Sequence, residues 1–376
     1  MKEILIAIRN SLIGSLYRQL CRRIFFCFDA ERVHDRMVRF GVFLGGNPAT
    51  KKAVAFSFSY SHPALEQTLL GIRFKNPIGL SAGFDKDARL TRLMPSVGFG
   101  FCEVGSITAR PYAGNPGKRL WRLVNSRGLV INYGLKNEGA DEIYKRITGE
   151  RFEFPVGISV ALSNDQTLCA SDEAIEDYCT TLRLFKECGA YTTVNISCPN
   201  TLLGQPFVDP ILLDRLLGRI DRIQSPKPLF LKLSPDLSQE TIDRLLEVCV
   251  SHRVAGYICS NLVKDRSHAR LAGDVVPNIG GISGKPMEDA ANALIAQVYR
   301  WTGGTAVIIG CGGVFSAQDA YTKILLGASL IQMITGMIYQ GPQVVSEINQ
   351  GLARLLHKNG FANIGEAVGT IRPVAQ

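Results

Sequence analysis

The chain predicts an α/β fold, a closed (β/α)8 TIM barrel with an N-terminal amphipathic helix pair, on three observations. Eight short apolar runs recur between residues 78 and 333. Segments with helical patterning separate them. The runs are apolar throughout instead of alternating, as in parallel strands buried on both faces. Eight strand–helix units in about 300 residues favour a closed barrel over an open sheet.

From the N-terminus, residues 1–45 read as two amphipathic helices. Ile4, Leu5, Ile8, Leu12, Ile13, Leu16 and Leu20 recur at helical spacing. Arg9 and Arg18 interrupt this run, so it does not supply the ~20 clean apolar residues of a spanning helix. A signal peptide is also disfavoured, because charge breaks the apolar run and no small-residue cleavage pattern follows. The second helix starts near Asp29 and puts Val33, Met37, Phe40, Phe43 and Leu44 on one side. Ten Lys or Arg precede residue 60, against four acids. Such a pair fits an anionic membrane interface; a helical cap packed on the main domain fits the pattern equally. Residues 46–68, with Gly46, Pro48 and Pro63, read as a linker. The expected division is 1–58 for a membrane-associated helical segment with its linker and 59–376 for the barrel.

After a lead-in strand near 70–74, barrel strands are expected at 78–80, 101–104, 156–160, 192–196, 229–233, 256–259, 306–309 and 330–333. Helices follow, for example at 171–188, 238–251 and 317–326. The stretch 108–132 is too long for a plain connection. It is expected to fold a hairpin over the barrel mouth, with arms at 120–123 and 129–131.

Composition removes several kinds of chemistry. Hydrophobic residues make up 46% and charged residues 20%, a globular balance, and the net charge of +9 owes much to the N-terminal segment. No basic–aromatic stripe or zinc spacing supports nucleic-acid binding. The ten cysteines contain no CxxC and mostly sit among apolar neighbours, as reduced core cysteines do. The five histidines lie in no polar cluster at a strand end, so neither a His-based triad nor a metal site is expected.

In such a barrel the chemistry belongs at the C-terminal ends of the strands. These read Ser81-Ala82-Gly83-Phe84-Asp85-Lys86, Gly105-Ser106, Ser159, Asn195 to Asn200, Lys232, Ser260-Asn261, Gly312-Gly313 and Thr335-Gly336. The densest is YTTVNISCPNT at 191–201, a β-branched strand that turns polar at once beside a thiol and is stopped by Pro199. Taken alone it also reads as a buried strand and an ordinary turn. Two Lys, three Asn, one Cys and several Gly nevertheless converge on one rim. No Asp/Glu pair does, which disfavours glycosidase chemistry and a carboxylate metal site. The glycines after the last two strands match the barrel's phosphate-binding corner, where backbone N–H groups come close to the ligand. A phosphate-bearing cofactor with a flat polar substrate suits this rim.

The segments GLSAGFDKDA, GFGFCEVGSITARPYAGNPGKRLWRL, VNISCPNT, LKLSPDLS, GGISGKP, IIGCGGV and GASLIQ resemble dihydroorotate dehydrogenase. FFCFDAERVHDRMVRF resembles the N-terminus of its membrane-associated, quinone-using class 2. The resemblance runs from about residue 25 to 367. It implies an FMN-bearing barrel that oxidises dihydroorotate to orotate and passes the electrons to a quinone. Ala82, Gly83, Lys86, Ser106, Asn195, Lys232, Ser260, Gly284, Gly312, Gly313 and Thr335 would contact FMN, and Ser159 stands where the family has an Asn contact. Lys86, Asn132, Asn195, Asn200 and Asn261 would hold the substrate. Cys198 would be the base that removes the C5 proton as hydride leaves C6. Lys232 would steady negative charge on the reduced flavin, an effect worth roughly 3–4 kcal/mol for a fixed cation. Arg122 matches a family Arg near the quinone.

The chain also departs from the family pattern. Class 2 members carry Ser as base; a thiol, with an ordinary pKa of about 8.5, is the better acceptor near neutral pH. The hairpin motif Asn-Arg-x-Gly-Phe is Ile131-Asn132-Tyr133-Gly134-Leu135, Asn-Thr after the sixth strand is Asn261-Leu262, and a Tyr after the eighth is Ile334. These changes leave a second reading open, an FMN oxidoreductase on the same scaffold acting on another small cyclic amide or enone. The expected partners are dihydroorotate or an analogue, a quinone and a membrane surface, with no nucleic acid. The expected location is peripheral, on the cytoplasmic face of a bacterial inner membrane. Removing residues 1–45 is expected to reduce quinone turnover while sparing flavin reduction.

Overall fold

A computed structural model describes residues 1–168 and 172–371. Cys169 and Ser171, the latter the expected start of the helix at 171–188, lie outside the described residues. Eight parallel strands form a closed barrel: β1 Ile78–Leu80, β2 Phe101–Ile107, β3 Val156–Val160, β4 Tyr191–Asn195, β5 Leu229–Leu233, β6 Val254–Cys259, β7 Val307–Cys311 and β8 Leu330–Met333. Closure is made by β8 on β1, with Met333 opposite Leu80. The ladder places Asn195 of β4 directly beside Lys232 of β5, so both face inward at the same level. The expected strands lie within three residues of the observed ones. The largest extension is in β2, which runs on to Ile107 past a register irregularity after Val104.

The two ends of the barrel differ. The lead-in segment is an antiparallel pair, Gln67–Leu69 with Ile72–Phe74, not one strand at 70–74. Leu70 and Gly71 both have positive φ, the geometry of a tight hairpin turn. Its Phe74 meets Phe101 edge to face and joins Tyr191, Phe230 and Leu330 in an apolar plug at the bottom of the barrel. Above the plug, Glu103 is fully buried, and its Oε2 accepts from Thr193 (3.1 Å) and Gln332 (3.0 Å). At the mouth, Leu120–Leu123 and Gly128–Ile131 form the expected antiparallel hairpin. Gly281–Gly284 adds a third strand from far along the chain, which local patterning does not reveal.

Residues 1–45 form the expected pair of helices, the first with an irregular turn within it. Lys2–Leu16 continues through a π turn at Tyr17–Cys21 into Arg22–Phe26, and Ala30–Gly45 follows, capped by Asp29. The expected linker contains a further helix, Pro48–Phe58. Pro48 is its first residue and Asn47 its N-cap, so the residues read as linker punctuation are start signals. Along the first run, Ile4, Ile8, Leu12, Leu16, Leu20, Ile24 and Phe28 are exposed at intervals of four. Arg9 does not break this stripe: its guanidinium turns inward to the carbonyls of Phe56 and Ser59. On the inner face Asn10 bonds Ser346 (3.1 Å), Tyr17 donates to the Ile338 carbonyl (2.8 Å) and Arg22 to that of Tyr339 (3.1 Å). Among the described residues no helix is long and apolar enough to cross a membrane.

Candidate active site

The strand ends and the mouth sheet enclose a cavity of about 1250 Å³, open mouth included. Ala82, Gly83, Lys86, Ser106, Asn195, Cys198, Asn200, Lys232, Ser260, Asn261, Gly312, Gly313 and Thr335, from the strand ends, and Gly284, from the resemblance alone, all line it. Three expected residues stand apart from the lining. Ser159 is buried behind Ser106 and shares a 2.7 Å hydroxyl contact with it. Asn132 turns its carboxamide oxygen to Asn115 (3.1 Å), so Ile131 faces the cavity in its place. Arg122 stacks over Phe26 at 4.6 Å and donates to the Phe28 carbonyl at 2.7 Å, which joins the mouth hairpin to the N-terminal helices.

At one end of the cavity the backbone is bare. Gly284, Gly312 and Gly313 all have positive φ. A Cβ on Gly284 would come within 2.6 Å of the Arg127 carbonyl, and one on Gly313 within 2.5 Å of the Glu288 Cβ. With the hydroxyls of Ser283 and Thr335, 2.9 Å apart, this corner offers main-chain and hydroxyl donors to an anion.

The other end is a cluster of carboxamides on loops. Asn195 donates to Ser106 (2.8 Å) and its Oδ1 accepts from the Ser197 amide (3.2 Å). Asn261 donates to the Ser197 carbonyl (2.9 Å), and Asn200 to the Ile131 carbonyl (2.9 Å). These bonds fix the loop that carries Cys198. Burial pushes the Cys198 thiol up to about 11, and the Asn200 amide, Lys232 and Lys264 oppose that rise in part. A thiol near its ordinary value, as the residue type alone implies, is therefore not what this pocket holds.

Cations line the cavity and carboxylates do not: Lys86, Lys136 and Lys232 face it, and no Asp or Glu is among its described lining residues. Asp85 points away and accepts the amides of Arg89 and Leu90, both at 2.8 Å; burial raises it to about 6. Lys86 is half-buried in the cavity wall, and burial first, then Lys136, lowers it to about 8. A positive, partly apolar cavity suits a planar anion.

Sequence reasoning missed His34, which lines the cavity from the helix Ala30–Gly45. Its Nε2 is 3.3 Å from Lys86 Nζ. One signal could have found it: His34 shares a helix face with Ala30, Val38, Gly41 and Gly45, whose small or apolar side chains mark the inward side. Glu31 receives Arg119 (3.0 Å) and Lys136 (3.1 Å). Burial alone would raise its carboxyl, but those two hydrogen bonds hold it below the ordinary range.

The family model described as Dihydroorotate dehydrogenase matches residues 64–356. The "Dihydroorotate dehydrogenase (quinone)" of Roseiflexus castenholzii is 35% identical over 357 residues, covering 93% of this chain and 95% of the relative. The protein of the same name from Gloeobacter violaceus is 36% identical, with 94% and 98% covered. The ligand-free crystal structure of DHODH from Eimeria tenella superposes with a TM-score of 0.81 at 27% identity, covering 92% of this chain and all of that one. The same enzyme in complex with ferulenol gives 0.79 at 26%, with 90% and 95% covered. Shared sequence over nearly the full length, the same closed barrel and the strand-end rim place this chain in the dihydroorotate dehydrogenase family.

Proposed function

We propose that this chain oxidises dihydroorotate to orotate with FMN as its flavin and a quinone as electron acceptor, and that Cys198 is the base. The family is flavin-dependent, and relatives over most of the length carry the quinone-linked name. The observation that carries the reading is the meeting of Cys198, Lys232 and three carboxamides at one end of a cavity whose other end is a glycine-lined anion corner. The corner fits a flavin phosphate, with Gly284, Gly313, Ser283 and Thr335 as donors. Bound there, the flavin would supply two-electron chemistry, taking hydride from the substrate ring and passing electrons to the quinone.

The chain's own residues do the rest. Asn195, Asn200 and Asn261 turn their amides to the edges of a pyrimidine ring, each unmatched edge costing about 1–3 kcal/mol. Lys86 faces the substrate carboxylate. Cys198 Sγ accepts the proton from the ring carbon, and Lys232, fixed in the β5 ladder, stabilises negative charge that develops beside it. Mixing the flavin-loaded protein with dihydroorotate under anaerobic conditions should bleach the flavin absorbance, and a short-chain quinone should restore it. A flavin unmoved by dihydroorotate refutes the reading. It would favour the second one, another cyclic amide or enone, for which Ile131 and Leu262 lining the cavity is the supporting observation.

The exposed stripe from Ile4 to Phe28, together with Phe40, Phe43 and Phe56, supports peripheral binding to an anionic bilayer, which we propose is the cytoplasmic face of a bacterial inner membrane. Residues 1–58 then form the membrane segment. The triple change Ile8→Glu, Leu12→Glu and Leu16→Glu should abolish co-sedimentation with phosphatidylglycerol vesicles; unchanged binding would exclude this face.

A further inference from the structure

We propose that His34, on the N-terminal helix Ala30–Gly45, is a positioning residue for Lys86. The segment expected to serve the acceptor side would then also build the substrate end of the cavity. The inference rests on the proposed function, in which Lys86 meets the substrate.

The contact fixes its own chemistry. A lysine ammonium has donors and no acceptor, so at 3.3 Å the His34 Nε2 accepts, and the ring is neutral with its proton on Nδ1. The surroundings favour that form: burial, then the charges of Lys86 and Lys136, push His34 well below its ordinary value. The ring is held edge-on against Phe84, centroids 4.9 Å apart at 87°. The helix behind it is tied down through Glu31 to Arg119 and Lys136. On its other side the Lys86 ammonium rests 4.2 Å over the Tyr133 ring. A four-carbon stem with many rotamers is thus confined between an imidazole and an aromatic face.

The type of partner matters as much as its place. Glu31, Asp35 and Asp87 act on Lys86 from a distance, and among the described residues none of them hydrogen-bonds to it. A carboxylate in the place of His34 would orient the ammonium equally well. It would also cancel the charge that has to attract the carboxylate of the substrate. A neutral acceptor orients the cation and leaves its charge available to the ligand. It follows that deleting residues 1–45 weakens substrate binding as well as quinone turnover, against the expectation from the sequence.

The test is calorimetric titration of orotate into the flavin-loaded full chain, with anaerobic flavin reduction followed alongside. His34→Leu should raise the orotate Kd about tenfold, the size of one lost hydrogen bond to a charged group. The loss should appear in KM for dihydroorotate more than in the limiting rate. His34→Gln, a neutral acceptor, should recover most of the affinity, and His34→Glu should not. In a Lys86→Met background, His34→Leu should add nothing further. An unchanged orotate Kd in His34→Leu, equal affinities for the Gln and Glu variants, or an undiminished effect in the Lys86→Met background overturns the proposal. Orotate affinity indifferent to Lys86→Met would instead remove the functional reading beneath it.

Discussion

The two ends of the cavity are built by different means. The anion corner is made of backbone: Gly284 closes the third strand of the mouth sheet, Gly312 and Gly313 follow β7, and Thr335 follows β8. The proposed substrate end depends on side chains carried by loops and by a distant helix: Cys198, Asn200, Asn261, Lys86 and His34. The ladder with Gly128 holds Gly284 in the first, and carboxamide bonds such as Asn261 to Ser197 and Asn200 to Ile131 hold the second. A backbone-built site tolerates change at its side chains but not at its glycines. A side-chain-built site can lose one function while keeping its shape.

That contrast is open to direct attack. The largest expected effect is Cys198→Ala, which should slow flavin reduction by dihydroorotate about 10²–10⁴-fold. Flavin content should be unchanged, because the sulfur contributes nothing to the anion corner. Gly284→Ala should do the reverse. At φ +91° with the Arg127 carbonyl 2.6 Å from the new Cβ, strain of about 1–3 kcal/mol falls on the corner, and the purified protein should lose flavin. Flavin loss in Cys198→Ala, or full retention in Gly284→Ala, would show that the two ends are not independent.

A smaller effect comes from pH. The base form of Cys198 grows about tenfold per unit at pH values below its raised pKa of about 11. The charged form of Lys86 is lost as pH rises through about 8. The second-order rate of flavin reduction should therefore climb with pH up to about 8 and then flatten, as the gain in base is offset by the loss of the cation. Lys86→Arg, which stays charged, should remove the break. Stopped-flow measurement between about pH 6 and 10 decides it; a break that persists in Lys86→Arg assigns it elsewhere.

The same division explains what the sequence revealed. Strand ends are legible because a strand has period two and a fixed exit, so reading the residues at and just past the end of each apolar run located Lys232, Ser260, Gly312 and Thr335. Ser159 followed the same rule to the correct strand end. There a small hydroxyl in contact with Ser106 does not reach the cavity. Asn132 lies at the end of a hairpin, where a one-residue change in loop length decides which neighbour faces inward, and Ile131 does. His34 is some fifty residues before Lys86 in the chain: helix spacing can turn it inward, but only the folded barrel supplies its partner. Pro48 misled because the same residue ends some elements and opens others, and Asn47 before it was the deciding sign.

The π turn at Tyr17–Cys21 has a consequence for how the N-terminal rod lies. The face that touches the barrel repeats near Asn10, Gly14, Arg18, Arg22 and Phe26, every fourth residue, whereas uniform α-helical pitch calls for about 3.6. Over that length the mismatch comes to more than one residue, and an uncorrected helix would wind its oily edge round toward the protein. The widened turn supplies much of the missing rotation, so Leu20 and Ile24 stay in line with Ile8 and Leu12. One irregular turn thereby lets a continuous rod of helix keep its greasy side in solvent from end to end.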